Sequence, residues 1–192
     1  GAAEIYRASN PIPEICGRVC PDESSCATKC VLAKKGRGIN TQAIEAFVAD
    51  YQREKVGVPL PEKAPPTGKK VGVVGAGPAG LFVAEHLAVA GHQVVVYDAW
   101  PAPGGLLVYG IPNFKLGKEV VRWKTDWLRE LGVEFVMSTR VGKAVSLDEL
   151  IEREGYDAIF LGTGAGVEGT MEIPGEDLGR VHGSMQYLVQ PG

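Results

Sequence analysis

Val71-Gly-Val-Val-Gly75-Ala-Gly77-Pro-Ala-Gly80-Leu-Phe-Val-Ala-Glu-His-Leu-Ala-Val-Ala90-Gly-His-Gln93-Val-Val-Val-Tyr97-Asp98 is the stretch that decides the fold. A short apolar strand, Val71 to Val74, enters a glycine turn, Gly75 to Gly80. An apolar helix, Leu81 to Ala90, follows, and then a β-branched strand, Gln93 to Tyr97. The turn is a GxGxxG that leaves a strand and opens a helix, which is the context the motif requires. Gly75 permits the tight turn, Gly77 lets the backbone approach a pyrophosphate, and Gly80 allows close helix-to-strand packing, with Ala76, Pro78 and Ala79 between them. The helix N-terminus adds unpaired N–H groups and the positive end of its dipole. Asp98 stands at the end of the second strand, about 20 residues on, where a carboxylate accepts hydrogen bonds from ribose hydroxyls. A dinucleotide suits these residues.

Outward from this unit the pattern continues. A helix from about Lys118 to Leu131 places Val120, Trp123, Trp127 and Leu131 on one face. Strand-like runs follow at Val133 to Met137 and Tyr156 to Leu161, separated by a helix from Leu147 to Glu154. Strands alternating with helices predict an α/β fold with a parallel, doubly wound sheet. Two further glycine-rich segments, Pro103-Gly-Gly-Leu-Leu-Val-Tyr-Gly-Ile-Pro112 and Phe160-Leu-Gly-Thr-Gly-Ala-Gly166, are expected to line one long cofactor groove through Gly104, Gly105, Leu106 and Thr163. Upstream, Val58-Pro-Leu-Pro-Glu-Lys-Ala-Pro-Pro-Thr-Gly68 reads as an extended linker. Before it, Asn40 or Thr41 caps a helix on which Ile44, Phe47, Val48 and Tyr51 recur at helical spacing. The expected division is a helical cysteine-rich segment, 1–57, a Pro-rich linker, 58–69, and a Rossmann-like domain, 70–192.

The 192 residues are 45% hydrophobic and 22% charged, with 20 Lys and Arg against 23 Asp and Glu. No apolar run approaches the roughly 20 residues that cross a bilayer. A net charge of −3 leaves no basic surplus for nucleic acid or an anionic membrane. All four cysteines lie in one short stretch, as Cys16, Cys20, Cys26 and Cys30. With no signal-peptide pattern at Gly1 to Ile5, a reducing cytoplasm is expected, where such a cluster points to metal or redox chemistry. The spacing C-x3-C-x5-C-x3-C differs from paired C-x2-C zinc sites, and thiolates suit soft iron centres. Iron–sulfur ligation is the expectation; zinc and reduced structural thiols are the alternatives. His86 and His92 read as ordinary helix-side histidines, and no acid–base pair or nucleophile triad stands out, so no catalytic side chain is expected.

These motifs, with Asn10-Pro-Ile-Pro-Glu-Ile-Cys-Gly-Arg-Val-Cys-Pro21 and Ile173-Pro-Gly-Glu176, resemble one family. It is the FAD and iron–sulfur portion of the glutamate synthase small subunit, shared with the large subunit of NADH-dependent ferredoxin:NADP oxidoreductase and with dihydropyrimidine dehydrogenase. The resemblance implies an NAD(P)H-linked flavoprotein oxidoreductase that moves electrons between FAD and [4Fe-4S] clusters. It implies FAD along Gly75 to Gly80, its ribose on Asp98, Lys115 near the flavin and Val141 beside the adenine. It further implies that Cys20 and Cys26 serve one cluster and Cys30 another, with Cys16 often a bystander and Glu45 an oxygen ligand. Cysteines upstream of Gly1 and an NAD(P)H domain with its own glycine fingerprint are then expected from another domain or subunit, together with an electron-accepting partner protein; for the clusters the other alternative is that the four cysteines hold a single one themselves. The alternative is a zinc-stabilised nucleotide-binding module without redox activity.

Overall fold

A computed structural model describes residues 1–21, 24–36, 38–166 and 168–189. Its centre is a parallel four-stranded sheet of β1 (Lys70–Val74), β2 (Gln93–Tyr97), β3 (Glu134–Val136) and β4 (Ala158–Leu161), in the order β3-β2-β1-β4. Val71 pairs with Val94 on one side and with Ala158 on the other. The strand order reverses at β1, so the crevice at the carboxyl ends of β1 and β4 is the position where open α/β sheets bind ligands.

Alternation along the strands fills two faces. Val73, Val94 and Val96 meet Leu81, Ala84 and Ala88 of α5 (Pro78–Val89) and Trp127, Leu128 and Leu131 at α7 (Lys118–Glu130). On the opposite face Val95 and Tyr97 meet Tyr156 and Leu150 of α8 (Leu147–Glu152), and the two tyrosine hydroxyls lie 2.8 Å apart. Ser146 caps α8 in a reciprocal box with Glu149.

The amino-terminal part is built from α1 (Ala2–Arg7), α2 (Pro13–Val19), α3 (Cys26–Lys29) and α4 (Thr41–Tyr51). Asn40 caps α4 as expected, its side chain accepting from the Ala43 amide. The apolar spacing on α4 marks the helix but not its buried side. Helix α2 lies so close to α4 that a Cβ on Gly17 would come 2.5 Å from the Ala46 nitrogen. The buried side is therefore that of Ala49, with Ala46 and Val48 half-buried, while Ile44, Phe47 and Tyr51 are exposed. Both sides of the helix carry apolar residues, and the small ones permit the closer approach. Helix α5 also begins three residues before the expected Leu81, because Pro78 fits its first turn.

Residues 58–69 contain no helix and only open into β1, yet they are strapped to the sheet domain. Ala64 donates to the Val89 carbonyl, Thr67 to that of Gly91, and the Trp127 indole to that of Val58. The Leu128 side chain is fully buried, so Leu128→Ala is expected to lower the unfolding free energy by about 2–5 kcal/mol in urea titration. Phe47→Ala, at a side chain 70% exposed, is expected to change it by less than about 0.5 kcal/mol.

Candidate dinucleotide and iron–sulfur sites

At the carboxyl end of β1 the backbone turns at Gly75, whose φ is +109° and whose amide donates to the Tyr97 carbonyl at 2.7 Å. A Cβ there would stand 2.2 Å from the Gly162 oxygen, and one on Gly80 would stand 1.8 Å from the Gly75 oxygen. Turn, helix and the end of β4 are in backbone contact. Gly77 differs. It is the N-cap of α5 with no side-chain cap, and a Cβ on it would meet nothing within 4 Å. The first amides of α5 and the Gly77 backbone thus border open space, a cradle that fits a pyrophosphate.

Two loops close on the same turn. The Asp98 carboxylate accepts from the Ala76 amide at 2.7 Å and from the Trp100 amide at 2.8 Å, one bond per oxygen. Each oxygen keeps a further lone pair for a ribose hydroxyl. The Gly104 amide donates to the Ala76 carbonyl at 2.8 Å, and a Cβ on Gly105 would lie 2.8 Å from the Gly77 Cα. Leu106 opens α6 (Leu106–Tyr109) and is exposed. The segment folds back on itself, with Trp100 and Tyr109 rings 4.5 Å apart and the Tyr109 hydroxyl accepting from the Ala102 amide. Lys118 donates to the carbonyls of Leu107 and Ile111 at the end of α6, and burial pushes its pKa down. Thr163 is exposed beside Gly75.

Gly75 to Gly80, Asp98, Gly104 to Leu106 and Thr163 are therefore brought to one edge. Lys115 is exposed on the loop after α6, its amide donating to the Pro112 carbonyl at 3.0 Å. Val141 is half-buried, packed against Val95, Tyr97, Leu150 and Tyr156 on the far face.

The thiols lie along the amino-terminal helices. Cys16, in α2, is half-buried against Ile12, Ile15, Leu107 and Leu116, and its Sγ donates to Asn10 Oδ1 at 3.7 Å. Asn10 also donates to the Glu45 carboxylate at 2.7 Å. Burial pushes the Cys16 thiol up, opposed by the Asn10 hydrogen bond and reinforced by the charges of Glu45, Cys20 and Glu14. Cys20 and Cys26 are exposed, and Cys30 is half-buried with the Ile39 amide 3.4 Å from its sulfur. Among the described residues no three His, Cys, Asp or Glu stand close enough together to hold a metal ion. The donor chemistry suits a soft centre, but these residues alone do not form a closed ligand cage.

Two buried charges escaped the motif reading. Glu14 is wholly buried and Lys124 is 1% exposed. Lys124 sits four residues from both Val120 and Leu128, so its place inside the apolar stripe of α7 was visible in the spacing.

Comparison with known proteins agrees with this geometry. Residues 1–56 match the family model for dihydropyrimidine dehydrogenase domain II, 4Fe-4S cluster, and residues 73–130 match the NAD(P)-binding Rossmann-like domain. The chain thus joins a domain of iron–sulfur type to a Rossmann-like dinucleotide-binding domain. Over 188 residues, 98% of its length, it is 39% identical to the glutamate synthase [NADPH] small chain of Halomonas elongata, and it covers 39% of that protein. It is 40% identical to the Bacillus subtilis counterpart over 97% of its length, covering 37% of that protein. The chain is similar to glutamate synthase small chains along nearly its whole length and spans about two fifths of theirs. The structure of Mycobacterium tuberculosis FprA in complex with NADPH aligns over 65% of this chain and 28% of FprA, with a TM-score of 0.55 and 26% identity.

The contrast between two glycines of the turn is testable by thermal unfolding. Gly77→Ala, with open space for its methyl, is expected to keep the unfolding midpoint within about 4 °C of the parent, whereas Gly80→Ala, forced against backbone, is expected to lower it by more than about 10 °C.

Proposed function

We propose that the chain is the electron-transfer portion of an NAD(P)H-linked flavoprotein oxidoreductase, linking FAD to [4Fe-4S] clusters and onward to a partner protein. The observation that carries this is the open cradle at Gly77, bordered by the Asp98 carboxylate, the Gly104–Leu106 loop and the Gly162–Thr163 turn. The domain division is part of the proposal: iron–sulfur segment 1–57, linker 58–69 and FAD domain 70–192. The family matches at 1–56 and 73–130 support it.

FAD, when bound, takes a hydride from a nicotinamide and releases electrons singly to a cluster. The residues position it. Amides at the start of α5 offer hydrogen bonds and the dipole to the pyrophosphate, while Ala76, Pro78 and Ala79 hold the turn. Asp98 takes ribose hydroxyls with its free lone pairs. Gly104, Gly105 and Leu106 bring backbone to the flavin end, with Thr163 opposite. Lys115 supplies a positive charge near the flavin, and the Val141 backbone borders the adenine.

The family description over residues 73–130 names NAD(P), and the fingerprint serves both nucleotides. The two extra glycine loops, which extend the groove past the pyrophosphate, favour FAD here. In the amino-terminal segment Cys20 and Cys26 serve one cluster, Cys30 the other, and Glu45 supplies an oxygen. Cys16 is the bystander thiol, packed against the apolar cluster of Ile12, Ile15, Leu107 and Leu116. The remaining cysteines and the NAD(P)H site come from parts of the protein beyond this segment or from a second subunit, in the cytoplasm. Among the described residues no helix is long and apolar enough to cross a membrane.

An ultraviolet–visible spectrum of anaerobically purified protein tests the reading. Flavin bands over a broad absorption bleached by dithionite are expected, with Gly77→Val losing the flavin bands. Colourless protein containing zinc without iron or sulfide would overturn it.

A further inference from the structure

The amino-terminal helices dock on the flavin-side domain through α7, and the contact has two unlike parts. One is apolar: Ile12 and Ile15 of α2 pack with Leu107, Leu116, Val120 and Val121. Such a surface attracts but is tolerant of sliding, since one aliphatic side chain replaces another with little loss.

The other part is a row of charges. Arg7 of α1 donates through Nε to Gln52 Oε1 at 2.7 Å and through Nη2 to Glu14 Oε2 at 3.1 Å, with its guanidinium 5.7 Å from the Trp123 ring centre. Glu14 of α2 is wholly buried, and its Oε1 has no hydrogen-bond partner. On the other side of the contact Lys124 pairs with Glu85 of α5 at 2.5 Å and lies 4.1 Å from the Trp127 ring centre. Burial pushes the Glu14 carboxyl up and the Lys124 ammonium down; Arg7 opposes the first and Glu85 the second, each with a smaller share from the opposite charge across the contact. The signs therefore alternate from Arg7 to Glu14 to Lys124 to Glu85, across four helices, α1, α2, α7 and α5.

Buried charges are strongly unfavourable without partners and are directional where apolar contacts are not. A one-turn slide of the amino-terminal helices along α7 would leave aliphatic contacts available and carry Arg7 along with Glu14, but would take Glu14 away from Lys124. We propose that Glu14 and Lys124 are positioning residues that fix the register of the cysteine-bearing helix α2 against the helix pair α6 and α7 that follows the flavin-facing Gly104–Leu106 loop. The consequence for electron exchange rests on the proposed function; the docking itself does not.

The test is a double-mutant cycle in the full chain with Glu14→Gln, Lys124→Gln and the pair, read by urea unfolding and by tryptophan emission. Each single variant is expected to raise the unfolding equilibrium constant, and the pair to raise it at least about tenfold less than the product of the singles. The singles are expected to shift the emission of Trp123 and Trp127, and, in protein that includes the parts supplying the remaining cysteines, Glu14→Gln to slow flavin-to-cluster electron equilibration after flash photoreduction about tenfold at unchanged FAD content. Multiplicative effects with unshifted emission would overturn the proposal. Should a single variant not fold, the pair decides: a folded pair supports the coupling, and an unfolded pair contradicts it. Because the folding cycle requires no cofactor, a missing flavin would count against the electron-transfer reading and not against the docking.

Discussion

Backbone-to-backbone contact at the carboxyl end of β1 is the constraint on which the rest depends. Gly80 lies against the Gly75 carbonyl, Gly75 against that of Gly162, and Gly105 against the Cα of Gly77, each at a distance that excludes a Cβ. These contacts draw helix, sheet and two loops to one point, and the Asp98 carboxylate and the Gly104 amide then close hydrogen bonds onto Ala76. Amides, a carboxylate and empty space converge there because side chains are absent. A site made of backbone suits a ligand whose recognition is phosphate and ribose, and leaves redox chemistry to the ligand itself.

The second organising element is α7. It covers the sheet with Trp127 and Leu128, receives Ile12 and Ile15 from the cysteine segment, and carries Lys124 between them. One helix thus supports both the nucleotide-binding domain and the thiols. The Pro-rich stretch from residue 58 is likewise more than a tether, since carbonyls of Val58, Val89 and Gly91 hold it along the same domain.

The βαβ unit was legible because its signals are local: β-branched strands, a glycine turn and a terminal acid at fixed spacing all appear where the structure has them. The parallel pairing of the sheet followed from alternation of strands and helices. The buried side of α4 was not legible, because Ile44, Phe47 and Tyr51 make a better apolar stripe than Ala46 and Ala49. What decided it was Gly17 on another helix, which admits close packing only with small residues. Lys124 was missed for a related reason. Its type argues for solvent, and only the partner Glu85 and the neighbouring Glu14, remote in sequence, make its burial tolerable. Among the thiols, spacing named the donors, but ligand grouping is a property of how α2, α3 and α4 sit together, and the described residues do not gather three of them.

Whether three glycine-bordered segments form one dinucleotide groove is read most directly by amide hydrogen exchange with and without added FAD. Slowed exchange is expected at 75–81, 98–106 and 162–165 together, with little change in the separate cleft of about 450 Å³ that residues 108–113 form with Lys118, Tyr187 and Leu188. Protection confined to that cleft, or absent from all three segments while FAD is bound, would contradict a shared groove.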